Sequence, residues 1–417
     1  MPATSCAASR PRRTPARAAP GRFGQADSAP SLRFNQNIRD WPPALIGWFV
    51  QNARDLPWRR TLDPYAIWIS EIMLQQTQVK TVIPYWERWM KALPDVRALA
   101  EAKPERVLKL WEGLGYYTRA RNLQKAAQQL LREHGGRFPT DFEAIRALPG
   151  IGRYTAGAIS SIAFNQPNPI LDGNVIRVLT RWLGLHTNAR ERSTLDQLWD
   201  LTTILVTSAA APVPRPARRP RRAAPLFRAS PALVASGSCS LLNQALMELG
   251  TSICLPRQPQ CAHCPLQRDC EGRRSGHPER FPNLGRRPAS TPRYFQAFLI
   301  EHERKWLVLQ RPANVINARL WEFPNIEVNH GTDPRSSLRQ LLRIDSLELS
   351  PFRTVRHSIT RYRIALSAYR TRAQTRPVLL PAVAGAGRWL RLRDLERLPF
   401  ASAHRRLLQH LQQDLLL

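Results

Sequence analysis

Apolar residues recur at helical spacing along the first half of the chain, which predicts a mainly α-helical domain. The pattern extends from residue 43 to about residue 208, and Pro and Gly residues separate its segments. The amphipathic segments are residues 67–73, 107–114, 123–131, 156–164 and 175–183, and a further one follows at 241–253.

The pattern changes in the last third of the chain. Residues 294–300 and 306–310 predict paired strands, residues 335–342 a helix, and residues 361–369 another strand. Residues 294–417 are therefore expected to form a separate α+β domain.

Two segments lack hydrophobic periodicity and are expected to lie outside the domains. Residues 1–37 are rich in Ala, Arg, Pro and Ser and predict a disordered tail. A transit peptide is the alternative, but the four prolines at positions 2, 11, 15 and 20 disfavour the amphipathic helix it would need. Residues 271–293 are polar, contain four prolines, and predict a linker that follows the helical domain of residues 38–270.

Residues 207–238 interrupt the helical domain with an unusual composition. Of these 32 residues, 21 are Ala, Pro or Arg and none is acidic, so we predict an irregular insertion. It is either a disordered surface insertion or a locally shifted reading frame in a GC-rich gene, and resequencing the gene separates the two.

The charge balance predicts a polyanionic partner. The chain has 62 Lys and Arg against 31 Asp and Glu, a net charge of +31, and the excess is not confined to the two Arg-rich segments. Nucleic acid is the commonest partner of this kind, whereas the absence of an 18-residue apolar run predicts no membrane span.

Four of the six cysteines form one cluster, spaced Cys254-x6-Cys261-x2-Cys264-x5-Cys270. Clustered thiolates can hold zinc or an iron–sulfur cluster, and this spacing alone does not distinguish them. Disulfides would need an oxidising compartment, and no secretory signal is visible.

The remaining candidate functional residues belong to one glycine turn and two acidic positions. Gly150 and Gly152 lie in a tight turn between helices, whose free N–H groups could bind a phosphate, although an ordinary helix corner is the alternative. Asp172 could be a simple N-cap, but Glu71 is a second acid among apolar neighbours that would raise its pKa. One protonated and one ionised carboxyl suit cleavage of a glycosidic bond.

Together these motifs resemble the adenine DNA glycosylase (MutY) family of the helix-hairpin-helix DNA glycosylases. The resemblance rests on LPWR at 56–59, SEIMLQQTQV at 70–79, GLGYY at 113–117, LPGIGRYTAG at 148–157, LDGNV at 171–175 and the cysteine run. It implies a six-helix module, an iron–sulfur module with a [4Fe–4S] cluster on the four cysteines, and a C-terminal Nudix-like domain.

The resemblance also implies roles for individual residues. Glu71 would protonate the adenine, Asp172 would stabilise the sugar cation, and Asn174 would position Asp172 and water. Arg54, Trp58 and Glu248 would line the adenine pocket, and Gln76 and Tyr116 would wedge into the duplex. For Trp58 and Tyr116, core packing is the alternative on composition alone.

Tyr154 stands where the endonuclease III branch has the lysine that cuts the strand, so a monofunctional enzyme is expected. The alternatives are an endonuclease III-like bifunctional glycosylase and a non-catalytic DNA-binding protein. In the C-terminal domain, the Phe-Ser-His loop of many relatives is replaced by Ile359-Thr360-Arg361, with Thr360 as the candidate contact to 8-oxoguanine. The resemblance implies a bacterial, cytoplasmic, nucleoid-associated monomer that acts on duplex DNA with A:8-oxoguanine or A:G mispairs.

Overall fold

The computed structural model describes residues 40–211, 230–286, 289–343, 348–359, 361–379 and 387–416. The tail predicted at 1–37, most of the predicted insertion, and Thr360 lie outside the described residues. Within the described ranges, no helix is long and apolar enough to cross a membrane.

The first domain is helical, as predicted. Its described helices are α1 (Trp41–Asn52), α2 (Pro64–Leu74), α3 (Val79–Ala92), α4 (Val96–Glu101), α5 (Pro104–Leu110), α6 (Thr118–His134), α7 (Phe142–Arg146), α8 (Arg153–Phe164), α9 (Gly173–Leu183), α10 (Arg192–Ala210), α11 (Pro231–Ala235), α12 (Ser238–Ser252) and α13 (Glu271–Arg274). Short 3-10 turns lie at Pro57–Arg60, Cys261–His263, Gln267–Asp269 and Pro278–Arg280.

Helix α2 runs through the core of this domain. Asp63 caps it by accepting hydrogen bonds from Tyr65 N (3.0 Å) and Ala66 N (3.3 Å), and Pro64 occupies the first turn. Nearly every residue of α2 is buried, so its apolar residues surround the helix instead of lining one face. Glu71 is buried because its helix is central to the domain.

The helix predicted at 107–114 is shorter than expected. Helix α5 ends at Leu110, and the chain then turns through Gly113 (φ +107°) and Gly115 (φ +69°). Positive φ angles end a right-handed helix and favour glycine, so the apolar residues of 111–114 belong to a buried loop.

The predicted insertion and linker are both partly helical. Helix α10 continues to Ala210, and α11 places the buried Leu233 against the domain next to the Pro57–Arg60 turn. Ser230 caps α11 and donates a 2.8 Å hydrogen bond to Arg59 O. The predicted linker includes α13 and the buried Phe281, so its first half packs on the helical domain.

The C-terminal domain contains a mixed sheet and helices, as predicted. Its described elements are β1 (Thr291–His302), β2 (Lys305–Gln310), β3 (Trp321–Glu322), β4 (Asn325–Val328), α14 (Pro334–Leu341), β5 (Leu342–Arg343), β6 (Ser350–Ile359), β7 (Tyr362–Arg372), β8 (Val378–Leu379), β9 (Gly387–Arg391), α15 (Leu392–Leu395) and α16 (Ser402–Leu416).

The main sheet has the order β3-β2-β1-β7-β6, with β4 paired to β1 and β9 to β2. Strands β1 and β7 are parallel, and the other described pairs are antiparallel. Alternate residues of β1 enter different cores: Ala297 and Leu299 pack with α16, whereas Phe298 and Ile300 pack with α14. The sheet is therefore buried between helices on its two faces.

Candidate active site

Glu71 lies near the end of α2 with only 6% of its surface exposed. Its Oε2 accepts a 2.8 Å hydrogen bond from the Tyr154 hydroxyl, which also lies 3.2 Å from Met247 Sδ. The pKa of Glu71 is raised to about 7, chiefly by burial and also by the nearby Asp172, while Tyr154 and Arg59 oppose the shift. A carboxyl group with this pKa can hold a transferable proton near neutral pH.

Asp172 is the N-cap of α9. Its Oδ1 accepts hydrogen bonds from Asn174 N (3.0 Å) and Val175 N (2.7 Å), and its Oδ2 accepts one from Asn174 Nδ2 (2.8 Å). Asp172 therefore caps the helix, as the simpler interpretation predicted, and the same bonds fix the direction of its carboxylate.

Glu71 and Asp172 line one cavity of about 860 Å³. The elements around it are α2, the Pro57–Arg60 turn, α8, α9 and α12, which are distant in the sequence. The predicted site residues on its wall are Arg54, Trp58, Glu71, Gln76, Tyr154, Asp172, Asn174 and Glu248. Eight residues chosen from the sequence are thus brought together by the fold.

Glu248 forms the polar end of this cavity, and its side chain is 1% exposed. Its carboxylate accepts hydrogen bonds from Arg54 Nε (2.6 Å) and Arg59 Nη2 (2.9 Å). Burial acts to raise the pKa of Glu248, but the two guanidinium groups outweigh it and hold the pKa below its usual value. Arg59 was not singled out from the sequence, although it ends the LPWR motif.

Gln76 lies on the wall of this cavity, and Tyr116 lies outside its lining. Both have positive φ angles, +56° and +47°, and Tyr116 is 48% exposed. They also border a second cavity of about 270 Å³ that reaches Asn122 and Gly150. The two predicted wedge residues therefore lie together at one surface, and Tyr116 is not a core residue.

The two glycines of the turn between α7 and α8 differ in their environments. Gly150 has φ +79°, and a Cβ there would lie 2.7 Å from Asn122 Cβ. Gly152 is the N-cap of α8 with φ −94°, and a Cβ there would meet nothing within 4 Å. Gly150 is thus required by the fold, whereas Gly152 leaves open space before the free N–H groups of a helix N-terminus.

The four predicted ligands, Cys254, Cys261, Cys264 and Cys270, line one small cavity beside α9. Four thiols around one shared space are a donor set that fits an iron–sulfur cluster. Arg181, which is buried, donates a 3.4 Å hydrogen bond to Cys254 Sγ.

Helix α9 connects the loop that carries the four cysteines to Asp172. Arg177 Nη2 donates to Asn174 Oδ1 (2.9 Å), and Asn174 in turn donates to Asp172. Arg177 Nε donates to Cys254 O (2.9 Å). Arg177, which the sequence did not single out, thus bridges the cysteine loop and Asn174, the residue that orients Asp172.

Comparison with known proteins gives the same two domains. Residues 69–203 match the model of the HhH-GPD superfamily base excision DNA repair protein, and residues 296–410 match the NUDIX domain. Adenine DNA glycosylase of Rattus norvegicus is 36% identical over 68% of this chain and 59% of its own length. The enzyme of Mus musculus is 33% identical over 83% of this chain and 73% of its own length.

Among solved structures, a thermostable thymine-DNA glycosylase is similar to this chain. It is 26% identical with a TM-score of 0.46, and the match covers 57% of this chain and 98% of that chain.

Proposed function

Because the chain belongs to the adenine DNA glycosylase family, and is thus a DNA glycosylase of base excision repair, we propose that it removes adenine mispaired with 8-oxoguanine or guanine by hydrolysing the N-glycosidic bond. The observation that carries this proposal is the pairing of Glu71, buried with a raised pKa, and Asp172, oriented by three N–H donors, in one cavity.

The first step assigned to the site is protonation of the base. Adenine leaves the helical stack and enters the cavity, where Glu71 donates its proton to a ring nitrogen. Protonation neutralises the negative charge that would build up on the departing base, so the bond to the sugar breaks more easily. Tyr154 holds the Glu71 carboxyl in place through its 2.8 Å hydrogen bond.

Asp172 acts on the sugar. Its carboxylate stabilises the oxocarbenium-like cation that develops as the bond breaks. Asn174, which binds Asp172 through both its backbone and its side chain, holds this carboxylate and helps to place the attacking water.

The reaction stops at the abasic site in this proposal. Strand cleavage by the endonuclease III route needs an amine to form a Schiff base with the sugar. Tyr154 has no amine, and the described residues that line the cavity include no lysine. A bifunctional mechanism therefore lacks its nucleophile in this part of the chain.

Arg54, Trp58 and Glu248 form the adenine pocket. Glu248 offers buried carboxylate oxygens, Arg54 contacts it from a more exposed position, and Trp58 supplies an apolar wall. The two guanidinium groups keep the Glu248 carboxylate charged, so the pocket offers a base a fixed anionic hydrogen-bond acceptor.

Cys254, Cys261, Cys264 and Cys270 are the proposed ligands of a [4Fe–4S] cluster. When bound, the cluster would hold together the loop between α12 and α13. The basic Arg257 and Arg268 flank the ligands and are candidates for contact with DNA phosphates.

Recognition of 8-oxoguanine is assigned to the C-terminal domain, at the connection between β6 and β7. Strand β6 ends at Ile359 and β7 begins at Tyr362, so the proposed contact Thr360 belongs to this connection. Arg361 donates a 3.1 Å hydrogen bond to the Tyr362 hydroxyl, which places a cation beside the same position.

Single-turnover incubation with duplexes that contain A opposite 8-oxoguanine, G or T tests the proposal. We expect release of adenine from the first two duplexes, with strand breaks only after alkali. Strand breaks without alkali would show a bifunctional enzyme, and binding without adenine release would show a non-catalytic protein. Glu71→Gln is the matched control and should bind the duplex without releasing adenine.

A further inference from the structure

The two residues assigned to the wedge share an unusual backbone conformation. Gln76 (φ +56°) follows α2, and Tyr116 (φ +47°) lies in the loop between α5 and α6. Neither is glycine, and a left-handed backbone is unfavourable for a residue with a Cβ. The surrounding structure must therefore hold both residues in this conformation.

One side chain, Arg119 in the first turn of α6, reaches the segment that leads to Gln76. Its Nη1 donates hydrogen bonds to Ile72 O (2.7 Å), Met73 O (3.1 Å) and Gln75 O (2.6 Å). These carbonyls lie at the C-terminal end of α2, where the helix leaves oxygens without partners and favours a positive charge. Arg119 thus fixes the chain up to the residue before Gln76.

The other side of the same guanidinium reaches the loop that carries Tyr116. Arg119 Nη2 donates to Leu114 O (3.0 Å) and Gly115 O (3.2 Å). It also lies 3.5 Å from Thr77 Oγ1, just beyond Gln76. The guanidinium carbon is 5.8 Å from the centre of the Tyr116 ring, so it contacts that residue directly as well.

The environment of Arg119 consists of carbonyl dipoles and aromatic rings. Among the described residues, no carboxylate forms an ion pair with Arg119. Its guanidinium carbon also lies 5.1 Å from the centre of the Trp111 ring. Burial lowers the pKa of Arg119 to about 10, which leaves the group charged at neutral pH. Only a planar group with several N–H donors can span both segments, and lysine has a single ammonium nitrogen.

We propose that Arg119 is the positioning residue that holds Gln76 and Tyr116 together as one preformed wedge. This inference rests on the proposed function and deepens it, because it assigns the opening of the duplex to a third residue, which is itself half-buried. A wedge that is ordered before it meets DNA loses less conformational freedom when it enters the base stack.

The test compares two duplexes that differ only in how firmly the adenine is stacked. One holds A:8-oxoguanine between matched base pairs, and the other holds it between mismatched pairs, where unstacking is easier. In single-turnover assays Arg119→Lys should slow adenine release about tenfold or more on the matched duplex and less than about threefold on the mismatched one. Arg132→Lys, the same exchange at an exposed position of α6, should change neither rate.

An equal loss on both duplexes would overturn the proposal, because Arg119 would then act on the chemistry or on the fold as a whole. No loss on either duplex would overturn it too. If the unmodified protein released no adenine from either duplex, the proposed function itself would fail, and this outcome is distinct from both others.

A second comparison tests whether Arg119 acts through the wedge. In a protein that already carries Gln76→Ala and Tyr116→Ala, Arg119→Lys should slow release from the matched duplex by less than about twofold further. A further tenfold loss in that background would show that Arg119 does not act through the wedge.

Discussion

Arg405 of the C-terminal domain donates a 2.7 Å hydrogen bond from Nε to Oε1 of Glu112 in the helical domain. The same oxygen accepts from Phe400 N (2.8 Å), and the other carboxylate oxygen lies 2.7 Å from Lys109 Nζ. Glu112 lies in the same loop as Tyr116, so the two domains meet beside the proposed wedge. Both partners of the Glu112–Arg405 pair are largely buried.

Removal of this carboxylate should destabilise the protein. Glu112→Ala leaves Arg405 and Lys109 without their acid, and we expect the free energy of unfolding to fall by about 2–4 kcal/mol. Urea unfolding measures the change. Glu101→Ala, which removes an exposed partner of Arg97, should change stability by less than about 0.5 kcal/mol. Similar effects of the two variants would show that the domain contact adds little.

The rate of adenine release should fall as the pH rises through about 7. Glu71 must be protonated to act as an acid, and burial raises its pKa to about 7. Tyr154→Phe removes a hydrogen bond that lowers this pKa, so the fall should move to higher pH. Single-turnover rates across the pH range provide the measurement, and a shift to lower pH would contradict the assignment.

Glu71→Gln should stabilise the protein at alkaline pH while it abolishes adenine release. The folded-state pKa of Glu71 is raised, so its stabilising effect is complete below the unfolded pKa and is lost as the pH rises through about 7. Glutamine resembles the protonated form, so the gain should approach about 3 kcal/mol at pH 8 and disappear near pH 4. Unfolding by urea at both pH values provides the check, and a gain that is equal at both would contradict the burial of a charge.

The two glycines of the α7–α8 turn should respond differently to alanine. Gly152→Ala meets open space at an ordinary φ, so stability should change by less than about 1 kcal/mol while affinity for duplex DNA falls. Gly150→Ala forces a methyl group against Asn122 at a positive φ and should destabilise the fold by more than about 1 kcal/mol. Thermal unfolding and DNA titration separate the two effects. Undiminished affinity of Gly152→Ala would remove the turn from the DNA interface.

Arg177→Gln should slow adenine release more than it weakens DNA binding. The exchange shortens a side chain that contacts Asn174 Oδ1 and Cys254 O, so Asn174 holds Asp172 less firmly. We expect about a tenfold loss of rate. The visible absorbance of the proposed iron–sulfur cluster shows whether the loop is still loaded, and an unchanged rate would show that Asp172 needs no support from the loop.

The sequence predicted those parts of the site that rest on short motifs. The resemblance singled out Glu71, Asp172, Tyr154 and Glu248, and the structure brings them to one cavity. The pattern could not show Arg119, Arg177 or Arg181 as contacts, because an arginine on a helix usually faces solvent. Most of their partners are backbone carbonyls, which leave no trace in a sequence.

Element boundaries were predicted less well than element types. The helix at 107–114 ended early because glycines with positive φ decide the turn, and the apolar loop beyond it has no period of its own. The first half of the predicted linker packs on the helical domain through Phe281, because proline content does not exclude burial. The three predicted C-terminal strands lie approximately where they were expected, because each alternates between two apolar cores.

The position of Ser230 limits where a shifted reading frame could lie. Its hydroxyl binds Arg59 O, and Leu233 is buried three residues later, so the chain from residue 230 onward packs against the Pro57–Arg60 turn, part of the proposed adenine pocket. Before the unusual stretch, α10 keeps Ala209 buried. If a shifted reading frame is present in the gene, the correct frame therefore extends to residue 210 and has resumed by residue 230. Resequencing can then be confined to the fewer than about sixty nucleotides that encode residues 211–229. The end of α10 and Ser230 set the limits of this span.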